Sequence, residues 1–241
     1  MKNLLTRFSK SSKLFDFLLI FIGITLSMQF NNWNEERKLK QMEIELISDL
    51  YLDVLQDSIE LNNCVVNHQK YFIDPISLLD TSLKAVEPID YSRLAKPLKI
   101  TIGGNYMSMN MGAYECFKHQ GISLMKNSQL KIKLFEYYEA GLNWIKSNQK
   151  AQDDFGDDYM IPLCVKYADS KLLLPFDSYI KMRKDEKAKL LISFWLGTYE
   201  KNMQLHKDLI PLLNDLKQEM EKELIRNGLE PKNILRQSKE S

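Results

Sequence analysis

Seventeen consecutive residues, 14–30, carry a single charged side chain, and no other stretch of this chain is comparably apolar. Four basic residues, Lys2, Arg7, Lys10 and Lys13, precede the run, and Asn31-Asn32-Trp33-Asn34-Glu35-Glu36-Arg37 follows at once. As helix the run spans about 25 Å at roughly 1.5 Å per residue, against a hydrocarbon core of about 30 Å. Extending it to Trp33 makes up the difference and leaves an indole where the membrane interface enriches it. Asp16, one turn inside the start, stays hydrated near that interface. The expectation is an uncleaved single-pass anchor over residues 14–33, with Leu14, Phe21, Gly23, Ser27 and Trp33 as its marker residues. A cleaved secretory signal also fits the basic leader and the run length. Against it, large and amide-rich residues stand where an Ala-x-Ala-like site is needed. A buried or surface helix is the third alternative.

The leader carries four Lys/Arg and the far flank three, Arg37, Lys38 and Lys40. Lys and Arg counts set orientation, so the N-terminus is expected in the cytoplasm and the following domain in the periplasm of a bacterial inner membrane. Gly23 and Ser27 are four apart, a spacing that lets two membrane helices approach closely, although lone anchors carry such residues too. The partners this implies are the lipid bilayer and either a protein partner or a second copy of the chain.

The charge of the remainder excludes another class of partner. The net charge is +1. Residues 1–30 hold four basic and one acidic residue, +3, so the other residues sum to −2. A slightly acidic body lacks the basic stripe that nucleic acid requires. Cys64, Cys116 and Cys164 are isolated, with no C-x-x-C, which excludes zinc-ribbon and thioredoxin-type motifs. In an oxidising compartment one disulfide could form and leave one thiol over. Buried small hydrophobes are the commoner role of such cysteines.

Helical spacing dominates the rest. From Asn32 to Tyr71 there is no proline or glycine, and Ile44, Ile47, Tyr51, Val54 or Leu55, and Ile59 share a face. This predicts one helix running out of the anchor and stopping near Asp74-Pro75. Asp57 and His68 fall in the slots of a heptad seam, which favours an amphipathic bundle helix over a coiled coil. Residues 75–105 hold three prolines and Gly103-Gly104 and read as irregular, with one strand over residues 98–102. A short helix is expected over 110–120, ended by Gly121. A long one should follow from an N-cap at Ser128 to Gln152, then a short one over 157–168. The last helix should span 185–227, with Gly228 as its C′ residue and a kink at Pro211. Its stripe reads Leu205, Leu209, Leu212, Leu216, Met220 and Leu224. The fold class is all-α: an anchor continuous with a long helix, and an antiparallel bundle outside the membrane. The organisation is a leader (1–13), an anchor (14–33), a helical domain (34–227) and a polar tail (228–241).

Chemistry-bearing motifs are sparse. Asp153-Asp154-Phe155-Gly156-Asp157-Asp158 does not match a calcium-loop spacing and reads as a polar helix junction. The Asp-Phe-Gly within it lacks every companion motif of a kinase. His68, His119 and His206 are far apart and unpaired in spacing. Cys116 and His119 form the one nucleophile–base candidate, on one helix face and with no third group. Phosphate loops and nucleophile elbows are absent. Two aromatic groups, Phe135/Tyr137/Tyr138/Trp144 and Phe194/Trp195/Tyr199, read as core; a small-molecule pocket is the sharper alternative. No catalytic, cofactor or metal site is expected, and the chain is not expected to be an enzyme.

Two segments carry a resemblance. Gly23-Ile24-Thr25-Leu26-Ser27-Met28-Gln29-Phe30-Asn31-Asn32-Trp33-Asn34-Glu35 resembles the "GI-x-IAL-Q-INNWNE" signature of an uncharacterised membrane-anchored bacterial family abundant in Bacteroidota. Gly112-Ala113-Tyr114-Glu115-Cys116-Phe117-Lys118, Gly121-Ile122 and residues 130–138 are similar to its "S-x-YE-x-LK-x-x-G … L-x-x-x-I-x-x-YY" block. The chain departs from the pattern at Phe30 and at Cys116-Phe117. The resemblance implies an inner-membrane protein with a helical extramembrane domain, and carries over no catalytic residue. The expected function is a membrane-anchored envelope scaffold or accessory protein that binds a partner through helix faces. The alternative is a periplasmic ligand-sensing bundle that signals through a separate membrane partner.

Overall fold

The computed structural model describes residues 2–86, 91, 94 and 107–237, with side chains described between Phe17 and Ile234. Among the described residues every regular element is helical and none is a strand, so the fold is all-α. The strand expected over 98–102 lies outside the described residues.

The first helix, α1 (Lys2–Asn67), has 66 residues. It does not stop where the sequence predicts. It passes through a π-helical turn (His68–Ile73) straight into α2 (Asp74–Lys84). Pro75 lies in the first turn of α2, immediately after the π turn. The wider turn upstream absorbs the change in register, with the Asp74 N–H donating to the Gln69 carbonyl. The same device recurs further along. α3 (Gly112–Cys116), a π turn (Phe117–Gly121) and α4 (Ile122–Leu124) form one continuous rod. A second rod joins α5 (Ser128–Phe135), α6 (Leu142–Phe155) and α7 (Ile161–Tyr167) through π turns at Glu136–Gly141 and Gly156–Met160. Pro162 sits just inside α7, immediately after the second of these turns. The helices expected over 128–152 and 157–168 are therefore one rod, and the acidic string at 153–158 lies within it. α8 (Phe176–Arg183), α9 (Glu186–Arg226) and α10 (Pro231–Gln237) complete the chain.

Helix ends follow side-chain chemistry. Asn127, rather than Ser128, is the N-cap of α5, its Oδ1 accepting from the N–H groups of Gln129 and Leu130. Asp185 caps α9 by accepting from Lys187 and Ala188. Gly228 takes φ +79° just beyond α9, the left-handed conformation expected of a C′ glycine. Gly121 terminates nothing. It lies inside the first rod, where a Cβ would come within 2.3 Å of Leu46 Cδ2, so its role is close approach to α1. Gly141 does the same against α9, with Leu209 Cδ2 at 2.4 Å.

α1 and α9 form the antiparallel spine. Tyr51 Oη donates to Glu221 at 2.9 Å toward one end, and the His68 and His206 rings meet at 5.2 Å toward the other. Along α1 and into the π turn, the buried residues Glu43, Ile47, Leu50, Val54, Asp57, Leu61, Cys64 and His68 follow one another in alternating steps of four and three, with Tyr51 buried beside Leu50. α9 repeats the rhythm through Ala188, Ile192, Trp195, Tyr199, Asn202, His206, Leu209, Leu213 and Leu216. This is a heptad seam, and it runs through Asp57 and His68 rather than being broken by them. On α9 the seam takes Leu213, while Leu205 and Leu212 are only partly buried against it. α9 continues as helix through Pro211. The last helix, within the region expected as a polar tail, places Ile234 in the core.

Side chains from α1, the two rods and the C-terminal half of α9 make a first core, around Ile47, Tyr114, Phe117, Leu134, Leu213 and Met220. A second core gathers Ile76, Leu79, Leu163, Tyr179, Ile192 and Tyr199 from α2, α7, α8 and the N-terminal half of α9. Between them lies a layer built from polar side chains.

Candidate functional site

The heptad geometry of the spine brings three polar residues into this layer, and α6 adds a fourth. His68 and His206 are seam residues on facing helices, Asn202 lies one turn before His206, and Gln152 enters from α6. All four are buried. The Asn202 amide donates to Gln152 Oε1, and His206 Nδ1 lies 2.7 Å from the Asn202 carbonyl. A carbonyl only accepts, so that nitrogen carries the proton and Nε2 is the bare acceptor, buried without a hydrogen-bond partner. His68 is held in the same manner by the Cys64 carbonyl. Burial, reinforced by the neighbouring His206, pushes the His68 imidazole down to about 4. Burial also lowers His206, opposed by its bond to the Asn202 carbonyl. Both rings are therefore neutral at pH 7 and pack among aromatics, with Tyr199 5.9 Å from His68 and 5.1 Å from Phe72. His119 takes no part, being exposed on the first rod.

Beside the layer the surface opens into a groove of about 630 Å³ between α6 and α9. Gln152 and Asn202 form its buried polar wall, Phe155 and Phe194 its aromatic end, and Lys201 its one charged lining residue. Gln152 Nε2 has no hydrogen-bond partner. A buried donor left unsatisfied costs about 1–3 kcal/mol, which an acceptor in the groove would recover.

A second polar cluster ties loops to α1. Asp57 accepts from the Asn110 N–H at 3.1 Å and from Tyr137 Oη at 3.0 Å. Asp53 accepts from the Ala113 N–H at 3.2 Å, and Glu43 from the Lys126 N–H at 2.6 Å. Burial outweighs those two hydrogen bonds and raises the Asp57 carboxyl to about 6. Tyr138 stacks on Tyr114 with ring centroids 4.1 Å apart, and the Tyr114 hydroxyl donates to Glu139. These are fastening interactions, since each joins a connecting segment or a rod to the spine, or one rod to the other.

The remaining sequence candidates separate. Cys116 and His119 both face solvent, and no hydrogen bond joins them among the described residues. No disulfide links the three cysteines; Cys64 and Cys164 are buried and Cys116 is exposed. The acidic string is mostly exposed, with Asp154 paired to Lys150 at 2.9 Å. Among the described residues no group of three ligating side chains could hold a metal ion. Of the aromatics, Tyr137, Tyr138, Trp195 and Tyr199 are core, whereas Trp144 and Phe194 are exposed. The polar layer had one legible signal: the four-three rhythm continues through Asp57, His68, Asn202 and His206 without a slip. Gln152 had none.

Of the anchor residues, Phe21, Gly23, Ser27 and Trp33 are all exposed, on a stretch of α1 that precedes the bundle. The Leu14 side chain lies outside the described residues. Among the described residues no helix is long and apolar enough to cross a membrane.

Fold and site together define a class: an all-α bundle on a single long helix, with a polar layer between two cores. Residues 16–154 match the family described as "Family of unknown function (DUF6090)", more than half of the chain, and the protein belongs to that family. The match takes in α1 from Asp16 onward and both connecting rods as far as Asp154, including Gln152, while α9 with its half of the polar layer lies beyond it. No curated protein and no solved structure matches the chain.

Proposed function

We propose that this chain is a single-pass, bilayer-anchored helical protein of the bacterial inner membrane, with a cytoplasmic N-terminus and a periplasmic bundle that serves a protein partner as scaffold or accessory. One observation carries the reading. Phe17, Leu18, Leu19, Ile20, Ile22 and Leu26 stand 46–66% exposed, spread around all sides of a helix that packs against nothing among the described residues. In water each would expose an apolar surface that burial stabilises by about 1.5–3 kcal/mol per side chain. Lipid covers all faces of a helix at once, which no single protein groove does. Between Trp33 and Glu43, the first buried residue, the helix is exposed and uninterrupted, a rigid spacer of about 15 Å. A strut without a hinge suits a scaffold. At Gly23 a Cβ would meet nothing within 4 Å, so that face is open to a second helix.

Carbonate extraction and thiol labelling test the reading together. The chain is expected to stay with membranes at alkaline pH. In intact spheroplasts Cys116 should react with an impermeant maleimide, while Cys64 and Cys164 stay protected until the bundle is unfolded. Release by carbonate would overturn the anchor, and labelling of Cys116 only after lysis would overturn the orientation. Crosslinking in native membranes should capture a partner, and Gly23→Ile should weaken any association that runs through the anchor.

A further inference from the structure

The groove between α6 and α9 has the dimensions and the chemistry of a ligand site. Its volume of about 630 Å³ falls within the range of small-molecule pockets. At one end Phe155 packs on Phe194 at 4.8 Å and on Trp195 at 5.5 Å, so an aromatic platform faces the opening. Lys201 lies at the other end, seven residues or about 10 Å further along α9. Between them Gly197 leaves the floor clear, since a Cβ there would meet nothing within 4 Å.

Of the polar lining side chains, Asn148 spends its amide N–H on the Trp144 carbonyl. Gln152 lines the groove while only 7% exposed, and its Nε2 is buried there with no hydrogen-bond partner. Its Oε1 is occupied by the Asn202 amide. Ser193 and Thr198 turn their hydroxyls to other partners, Ser193 to Asp80 and the Lys189 carbonyl, Thr198 to the Trp195 carbonyl. No carboxylate lines the groove, and Asp80, behind Ser193, is paired with Lys84 at 2.7 Å. The groove thus offers a cation and an unused N–H donor at one end and aromatic faces at the other.

We infer that this groove binds a small arylalkyl carboxylate free in solution, its carboxylate between Lys201 and Gln152 and its ring against Phe155 and Phe194. A carboxylate supplies what both polar groups lack, an anion and an acceptor. A ring on a short chain spans the two ends and stacks on the aromatic platform. Through Asn202 the same amide pair touches His206, so an occupant would also bear on the polar layer between the cores.

Saturation-transfer NMR on the full chain in lipid nanodiscs, with phenylhexanoate as the probe and empty discs subtracted, tests this. Wild type should bind phenylhexanoate saturably, and phenylhexanol and phenylhexylamine about tenfold or more weakly. Gly197→Leu fills the floor and should abolish binding while keeping full helicity. Lys201→Gln, at an exposed position, should weaken phenylhexanoate about tenfold and leave phenylhexanol unchanged. Three results would overturn the inference: no saturable binding by wild type, equal binding of the amine, or undiminished binding by folded Gly197→Leu.

Discussion

Asp57→Asn separates the ionisation of a buried carboxyl from its hydrogen bonding. Asp57 is fully buried at the spine, and its carboxyl is raised to about 6 from 3.8. A raised carboxyl binds its proton more tightly in the folded chain than in the unfolded one. Stability from this group is therefore complete in acid and is lost as pH climbs from about 4 to about 6. The difference of about two pK units corresponds to about 3 kcal/mol withheld from the native state at pH 7. Asparagine has the same shape, keeps an acceptor for the Asn110 N–H, and does not ionise. Its stability relative to wild type should accordingly improve by about 2–3 kcal/mol between pH 3 and pH 7. The offset at low pH reports the altered bond to Tyr137. The assay is urea unfolding of the bundle, followed by far-UV circular dichroism with the chain held in nanodiscs, at several pH values. Parallel pH profiles for the two proteins would refute the reasoning, because Asp57 would then titrate as it does in the unfolded chain.

The histidine pair has the opposite sign. His68, lowered to about 4, stays neutral in the folded chain while the unfolded chain protonates from about 6.5 downward. Stability is lost across that window by about 3 kcal/mol, with His206 acting in the same sense. His68→Phe should flatten the acid loss, and Asp57→Asn, which removes the opposing effect, should steepen it. Gly141→Ala should lower stability by about 1–2 kcal/mol, as overpacking against buried Leu209 exceeds the gain in helix propensity. Gly197→Ala, which meets no neighbour, should raise it by up to about 1 kcal/mol in the same unfolding assay. Asn127→Ala should cost about 1–2 kcal/mol by removing the α5 cap together with its bonds to Glu219 and Glu223; an unchanged melting temperature would contradict that role.

Much of the architecture was legible along the chain because it rests on local physics. Apolar periodicity marks α1, the second rod and α9 as helices, and a capping aspartate at 185 with a left-handed Gly228 brackets α9 to within a residue. Pro75 misled, because sequence rules treat a proline as a stop. Here Pro75 and Pro162 sit just past π turns that let the helix continue. Gly121 misled in the same way, since a glycine that permits a turn and one that permits close packing are identical until the neighbour, Leu46, is known.

The apolar run at residues 14–30 and the helical periodicity beyond it are properties of neighbours in sequence, and the chain alone determined them. The worth of Asp57, His68, Asn202 and His206 was not of that kind. In one dimension a polar residue in a heptad slot is a defect. Whether it is a defect or a fastening depends on partners such as Tyr137 and Gln152, which lie 80 and 50 residues away from Asp57 and Asn202. Only packing brings them within hydrogen-bond range, and only there does burial shift a carboxyl up and an imidazole down. The groove beside them is likewise a relation between α6 and α9, and neither helix carries it alone.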